Sequence, residues 1–272
     1  MSGSALLIIT IILLAVVSFL VGVMLVFTGN KFKVEVDPKE TAVRGCLPGN
    51  NCGACGYPGC DGLAAAIAKG DAPVNKCPVG GAAVAEKISA IMGVEAGSID
   101  KKVAFVKCSG TCEKAYDNAN YIGINSCGAA AAIPGKGTKM CQTGCLGLGE
   151  CVSVCEFDAI HIVDGIAKVD RTKCVGCGKC ASVCPQHLIE IIPDKQIYAV
   201  ACASQEKGKA TKAQCAAGCI GCKACTLVCD NNSIKVEDNI AHINYATCVQ
   251  CGKCASKCPA KVIITRREAE TA

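Results

Sequence analysis

CVGCGKCASVCP (174–185) and CVQCGKCASKCP (248–259) differ at two of twelve positions and lie 74 residues apart. Working outward at the same offset, Cys141, Cys145, Cys151, Cys155, Cys174, Cys177, Cys180 and Cys184 recur as Cys215, Cys219, Cys225, Cys229, Cys248, Cys251, Cys254 and Cys258. Ile160, Asp164, Ile166 and Ala167 recur as Ile234, Asp238, Ile240 and Ala241. Gapless agreement of this length is a tandem duplication of one module. Inside each copy, apolar and polar residues alternate around Asp164-Gly165 or Asp238-Asn239, which predicts a β-hairpin with a two-residue turn. Short helical turns after Cys180 and Cys254 complete a small α+β unit with little room for an apolar centre.

The composition agrees. The 272 residues include 26 Cys and 29 Gly, no Trp and only 4% aromatics. Such cysteine density is typical of short disulfide-stapled secreted proteins. The compartment argues against disulfides, however. Residues 5–27 form an uncharged apolar run long enough to span a bilayer. No basic residue precedes it, so it reads as an anchor rather than a cleaved signal peptide. Lys31, Lys33, Lys39 and Arg44 follow it, which places the bulk of the chain on the cytoplasmic side of the cell membrane as a single-pass protein. Every cysteine lies beyond residue 45, in a reducing compartment where metal binding is the default.

Three runs have the spacing C-x2-C-x2-C-x3-C: Cys174, Cys177, Cys180 and Cys184; Cys248, Cys251, Cys254 and Cys258; Cys219, Cys222, Cys225 and Cys229. A tight loop of this kind presents three thiolates to a [4Fe–4S] cubane and lends the fourth to a second cluster. Structural zinc favours paired C-x2-C knuckles instead. Nearer the anchor, Cys52, Cys55, Cys60 and Cys77 form a different four-cysteine pattern, with Gly53, Gly56 and Gly59 letting the backbone wrap closely. A helix is predicted after Cys60, with Asp61 as its N-cap and its positive end toward a bound anionic cluster. A zinc loop is the competing reading of that motif. Cys46 has no evident partner. Cys108, Cys112, Cys127, Cys202 and Cys215 remain, with Cys127 and Cys202 one residue off the repeat. They supply either a sixth cluster or buried free thiols.

Residues 140–266 resemble the two-cluster bacterial ferredoxins. Carried onto this chain, the resemblance implies one cluster on Cys219, Cys222, Cys225 and Cys258, and a second on Cys229, Cys248, Cys251 and Cys254. It implies a third on Cys155, Cys174, Cys177 and Cys180. Leu148 stands where the second module has Cys222, so the fourth set is taken as Cys141, Cys145, Cys151 and Cys184. Glu156 and Asp230 replace the family's proline after Cys155 and Cys229, and a carboxylate there is expected to lower the potential of a nearby cluster.

The formal charge is +5. Each loaded site contributes about −2, so five sites leave the protein near −5 and a nucleic-acid partner is not expected. The basic runs Lys101-Lys102, Lys207 to Lys212 and Arg266-Arg267 read as solvated faces. No dinucleotide-binding glycine motif or P-loop is present, and His161, His187 and His242 do not cluster in sequence. No catalytic residue is assigned; the chain conducts electrons.

The anchor, then LPGNNCGACGYPGC…CP, then two ferredoxin modules closely resembles the B subunits of the Rnf complexes of anaerobes, ion-translocating ferredoxin:NAD oxidoreductases. The resemblance implies a translocase component carrying at least five [4Fe–4S] clusters. Its implied partners are soluble ferredoxin, flavin-bearing and membrane subunits, and the lipid bilayer. The expected division is an anchor (1–27), a linker (28–45), a four-cysteine domain (46–95), a connector (96–139), two ferredoxin modules (140–200 and 201–267) and a tail (268–272). A wiring subunit of a hydrogenase or formate dehydrogenase complex and a membrane-tethered zinc or thiol regulator are the alternatives.

Overall fold

The computed structural model describes residues 3–31, 37–97 and 100–266. The expected tail (268–272), Lys33 and Arg267 lie outside the described residues. Helix α1 (Gly3–Lys31) has no acidic residue in its first turn and ends on Lys31. Its window Ile11–Thr28 has a mean hydropathy of 2.9 and packs against nothing, which makes it a candidate membrane span. The helix runs past residue 27, and α2 (Pro38–Cys46) also falls inside the stretch read as a linker. Asp37 starts α2 by accepting the Lys39 N–H at 2.8 Å, with Pro38 at the first helical position, where no N–H is needed.

Helices α2, α3 (Gly59–Lys69) and α4 (Gly81–Met92) pack around Val43, Leu63, Ile67 and Ile88, all at most 1% exposed. The expected cap at Asp61 is not made. Pro58 holds the N-cap position, and the Asn51 side chain reaches across to accept the Cys60 N–H at 2.7 Å. Asp61 instead pairs with Arg44 of α2. It sits one residue inside the ligand-bearing turn, where its carboxylate faces outward to a cation.

Among the described residues, the rest of the chain is built around four two-stranded sheets. In order it holds β1 (Lys102–Val106), α5 (Cys127–Ala132), α6 (Glu150–Ser153), β2 (Ile160–Val163), β3 (Ile166–Val169), α7 (Lys179–Val183), β4 (Ile189–Pro193), β5 (Tyr198–Val200), α8 (Gly208–Gln214), α9 (Ala224–Leu227), β6 (Ile234–Glu237), β7 (Ile240–Ile243), α10 (Lys253–Lys257) and β8 (Ile263–Thr265). The predicted hairpins are β2–β3 and β6–β7. Asp164, Gly165, Asp238 and Asn239 all adopt positive φ, as a type I′ turn requires at both central positions. The short helices after Cys180 and Cys254 are α7 and α10.

The repeat does not announce the second sheet of each half. Strand β1 pairs antiparallel with β4, Val106 opposite Ile189, and β5 pairs with β8, Val200 opposite Ile263. The segment read as a connector (96–139) therefore supplies a strand to the first ferredoxin-type half. Residues 198–200 likewise supply one to the second. On these strands the halves correspond at an offset of 94 rather than 74. The difference is an insertion in the first half, between Cys108 and Cys145, that carries α5. Phe105, Ile192, Ala199 and Ala201 form a small apolar core between the two outer sheets. Arg266 lies in this seam, 2% exposed, donating to the Pro193 and Gln196 carbonyls at 3.2 and 2.8 Å. It is thus a buried bracket, not part of a solvated basic run.

Gly176 and Gln250 occupy equivalent places in the ligand loops, both in the left-handed region (φ 67 and 58). A Cβ on Gly176 would come within 2.5 Å of the Lys102 carbonyl oxygen. Gln250 instead accepts the Ile197 N–H through Oε1 at 3.1 Å. We expect Gly176→Ala to destabilise the first half by about 1–3 kcal/mol, and Gln250→Ala to cost about 1 kcal/mol for the lost hydrogen bond. Thermal unfolding of the iron-loaded variants under argon checks the order.

Candidate metal centres

Among the described residues, no group of three or more His, Cys, Asp or Glu side chains is arranged to hold a single metal ion. The cysteines ring wider spaces instead. Cys127, Cys145, Cys151 and Cys184 line a cavity of about 390 Å3 of empty space. Cys229, Cys248, Cys251 and Cys254 line another of about 560 Å3. None of the 26 cysteines is in a disulfide. Sets of four thiols around cavities larger than an ion have the donor chemistry of a cubane, whose irons take thiolate ligands at the corners.

The grouping is also visible in how the thiols disfavour one another's ionisation. Burial pushes the Cys180 thiol up to about 12, and Cys174, Cys177 and Cys155 add to the effect. Burial and then Cys219, Cys258 and Cys222 raise Cys225 to about 11. Cys254 is raised by burial and by Cys248 and Cys251. Near the N-terminus, Cys77 is raised by burial and by Cys60 and Cys52. Cys60 opens α3, so the first turn of that helix faces the set. Cys46 ends α2 and packs beside Cys60 and Cys77 in the same apolar cluster.

Backbone donors point at the sulfurs, an arrangement that favours thiolate over thiol. Gly80 N–H donates to Cys77 Sγ, Ala104 N–H to Cys174 Sγ, Ala159 N–H to Cys155 Sγ and Ala167 N–H to Cys145 Sγ, each at 3.4 Å. The donor strands β1 and β3 run directly over the ligand loops.

Cys127, the first residue of α5, lines the same space as Cys145, Cys151 and Cys184, whereas Cys141, expected to join those three, lines a different one. Cys151 is raised to about 12 by burial, then by Cys145 and Cys127. The insertion thus brings in a thiol where Leu148 has none. Ser126 caps α5 by accepting the Ala129 N–H at 3.2 Å, and Glu150 receives hydrogen bonds from Ser126 Oγ and from Gly128 N–H at 3.1 Å. This fixes α5 against α6, which carries Cys151. The near-match of Cys127 to Cys202 at offset 75 is not a structural equivalence, because aligning β1 with β5 by their strand registers puts Cys108, not Cys127, at the place of Cys202. Cys141 lies with Cys108, Cys202 and Cys215 in a separate cavity. Cys112 is exposed and belongs to no group.

Neighbouring groups are close enough to act on each other. Cys52 of the N-terminal domain disfavours the thiolate of Cys177, and Cys180 does the same to Cys151. Asn50 Nδ2 donates to Glu156 at 3.2 Å across that first junction. Glu156 and Asp230, whose carboxylates are expected to bear on cluster potential, are each paired with a lysine, Glu156 with Lys179 and Asp230 with Lys253. Lys179 and then Asn50 hold the Glu156 carboxyl below its ordinary range.

Comparison with known proteins agrees with this arrangement. The family model "Putative Fe-S cluster" matches residues 47–79, "4Fe-4S binding domain" matches 167–190, and "4Fe-4S dicluster domain" matches 218–262. The chain is 45% identical over 252 residues to the B subunit of the Na(+)-translocating ferredoxin:NAD(+) oxidoreductase complex of Acetobacterium woodii, covering 92% of this chain and 75% of that protein. It is 41% identical to the B subunit of the ion-translocating oxidoreductase complex of Methanosarcina acetivorans, covering 97% of this chain and 100% of the relative. The B subunit of the proton-translocating ferredoxin:NAD(+) oxidoreductase complex of Clostridium ljungdahlii is 40% identical, with 93% and 90% covered. With its sulfur sets, its duplicated halves and these relatives in agreement, the chain belongs to the family of Rnf B subunits, the iron–sulfur electron-transfer components of ion-translocating ferredoxin:NAD oxidoreductases.

Proposed function

We propose that five thiolate sets hold [4Fe–4S] clusters in this chain and that electrons run along them from the second ferredoxin-type half toward the anchor. The sets are Cys229, Cys248, Cys251 and Cys254; Cys219, Cys222, Cys225 and Cys258; Cys127, Cys145, Cys151 and Cys184; Cys155, Cys174, Cys177 and Cys180; and Cys52, Cys55, Cys60 and Cys77. When bound, each cluster supplies a one-electron carrier. The observation that carries this reading is the proximity of three of the sets in series, with Cys52 close enough to act on Cys177 and Cys180 close enough to act on Cys151.

The chain's own residues do the rest. Backbone N–H groups over the sulfurs favour the ionised ligands, and buried Ile and Ala side chains around them keep water away. Cys222 and Cys251 are exposed, so the distal half offers two sets close to the surface. Reduced soluble ferredoxin is the donor proposed to dock there, on the cytoplasmic side. Flavin-bearing subunits near the bilayer are the acceptors, reached from the Cys52 set next to the anchor. Helix α1 holds that end at the membrane.

Two outcomes are expected. Anaerobically purified chain is brown and contains iron and acid-labile sulfide; stripping both with chelator and oxidant exposes backbone amides of residues 46–266 to hydrogen exchange. A colourless, iron-free chain that stays protected would overturn the proposal. In the assembled complex, Cys222→Ser slows ferredoxin oxidation at least about tenfold, as expected when a relay in series is lost, while dithionite still reduces the Cys52 set. An unchanged rate would reverse the proposed direction of flow.

A further inference from the structure

Four cysteines outside those five sets meet where the two ferredoxin-type halves join. Cys108, Cys141, Cys202 and Cys215 line a pocket of about 420 Å3 of empty space. Two come from each half and at matched places, Cys141 with Cys215 by the sequence repeat and Cys108 with Cys202 by strand register. The hydrogen bonding is matched as well. Cys108 Sγ accepts the N–H groups of Gly110 and Cys145, both at 3.4 Å. Cys202 Sγ accepts those of Ser204 at 3.4 Å and Cys219 at 3.3 Å. Residues 114–116 are stitched to the segment around Cys215 by the Tyr116 N–H to Gln214 and Ala216 N–H to Lys114 bonds. Met140, next to Cys141, donates to Tyr116.

A separate observation concerns charge. Lys139 lies beside the same space, 6% exposed, and its ammonium donates to the carbonyls of Gly110, Cys145 and Gly165 at 2.9, 3.0 and 2.7 Å. Among the described residues no carboxylate pairs with it. A buried cation without an anion is costly. Four thiolates around a cubane carry a net charge of about −2, so a cluster here, with the one proposed on the Cys145 set, would flank the Lys139 ammonium with negative charge on both sides.

We propose that Cys108, Cys141, Cys202 and Cys215 bind a further [4Fe–4S] cluster that bridges the two halves. The inference rests on the wiring proposed above and fills the gap between its Cys219 and Cys145 sets. Cys108 takes a hydrogen bond from the backbone of Cys145, and Cys202 takes one from that of Cys219, so the bridging set touches a ligand of its neighbour on each side. One electron from reduced ferredoxin enters by way of the Cys219 set and the same electron leaves toward the Cys145 set. No bond forms or breaks and no proton moves.

Iron and sulfide counting on the anaerobic full-length chain tests this. Six cubanes give about 24 iron atoms per chain and five give about 20. Cys202→Ser and Cys141→Ser should each lose about four irons, whereas Cys112→Ser, which alters the exposed cysteine outside every set, should lose none. Flash reduction of the distal half should reach the Cys52 set at least about tenfold more slowly in the first two variants. About 20 irons in the wild type, with or without zinc, overturns the bridging site and leaves the five-set wire standing; unchanged iron in both variants does the same. If either substitution unfolds the chain, the wild-type count alone decides. A wild type with no iron fails the wiring reading itself.

Discussion

A thiolate cannot be buried without positive charge and hydrogen-bond donors close by, and that requirement shapes this fold more than apolar packing does. Each two-stranded sheet is too small to be stable by itself. The strands serve to cover ligand loops. β1 presents the Ala104 N–H to Cys174, and β3 presents the Ala167 N–H to Cys145. The apolar clusters have the same logic, because their buried members include cysteines alongside Ile, Val and Ala. A centre made of sulfur ligands and small aliphatics explains why a soluble part of this size contains no Trp.

Much of this is legible in the cysteine spacing, because local motifs set local geometry. The hairpins at Asp164-Gly165 and Asp238-Asn239 can be read from alternation and turn residues alone, since a type I′ turn is specified by two positions. The partnership of Cys127 is hidden because nothing local announces it. The residue arrives from an insertion that the first half has and the second lacks, and it replaces a position occupied by Leu148. Strands β1 and β5 escape for a related reason. They correspond at an offset of 94, which the insertion has pulled out of step with the 74-residue repeat.

The duplicated halves have diverged where they touch other things. Gly176 yields to a strand carbonyl at a place where Gln250 makes a hydrogen bond of its own. Glu156 and Asp230 keep equivalent lysine partners, yet only Glu156 also receives Asn50 from the N-terminal domain. Lys139, buried in the first half, corresponds by the repeat to Ala213 in the second. One copy therefore faces the anchor-side domain and the seam, and the other leaves its thiols closer to solvent, with Cys222 and Cys251 exposed.

The pairing of β1 with β4 has a bearing on where this polypeptide can be divided. A fragment begun at residue 140, the natural cut suggested by the motif alone, would leave Ile189–Pro193 as a bare edge and would forfeit both Cys108 and Cys127. The smallest excisable piece of the first half starts before Lys102, and the seam formed by Phe105, Ile192, Ala199 and Ala201 ties even that piece to its twin. The duplicated halves are thereby welded into one piece rather than strung as separable beads.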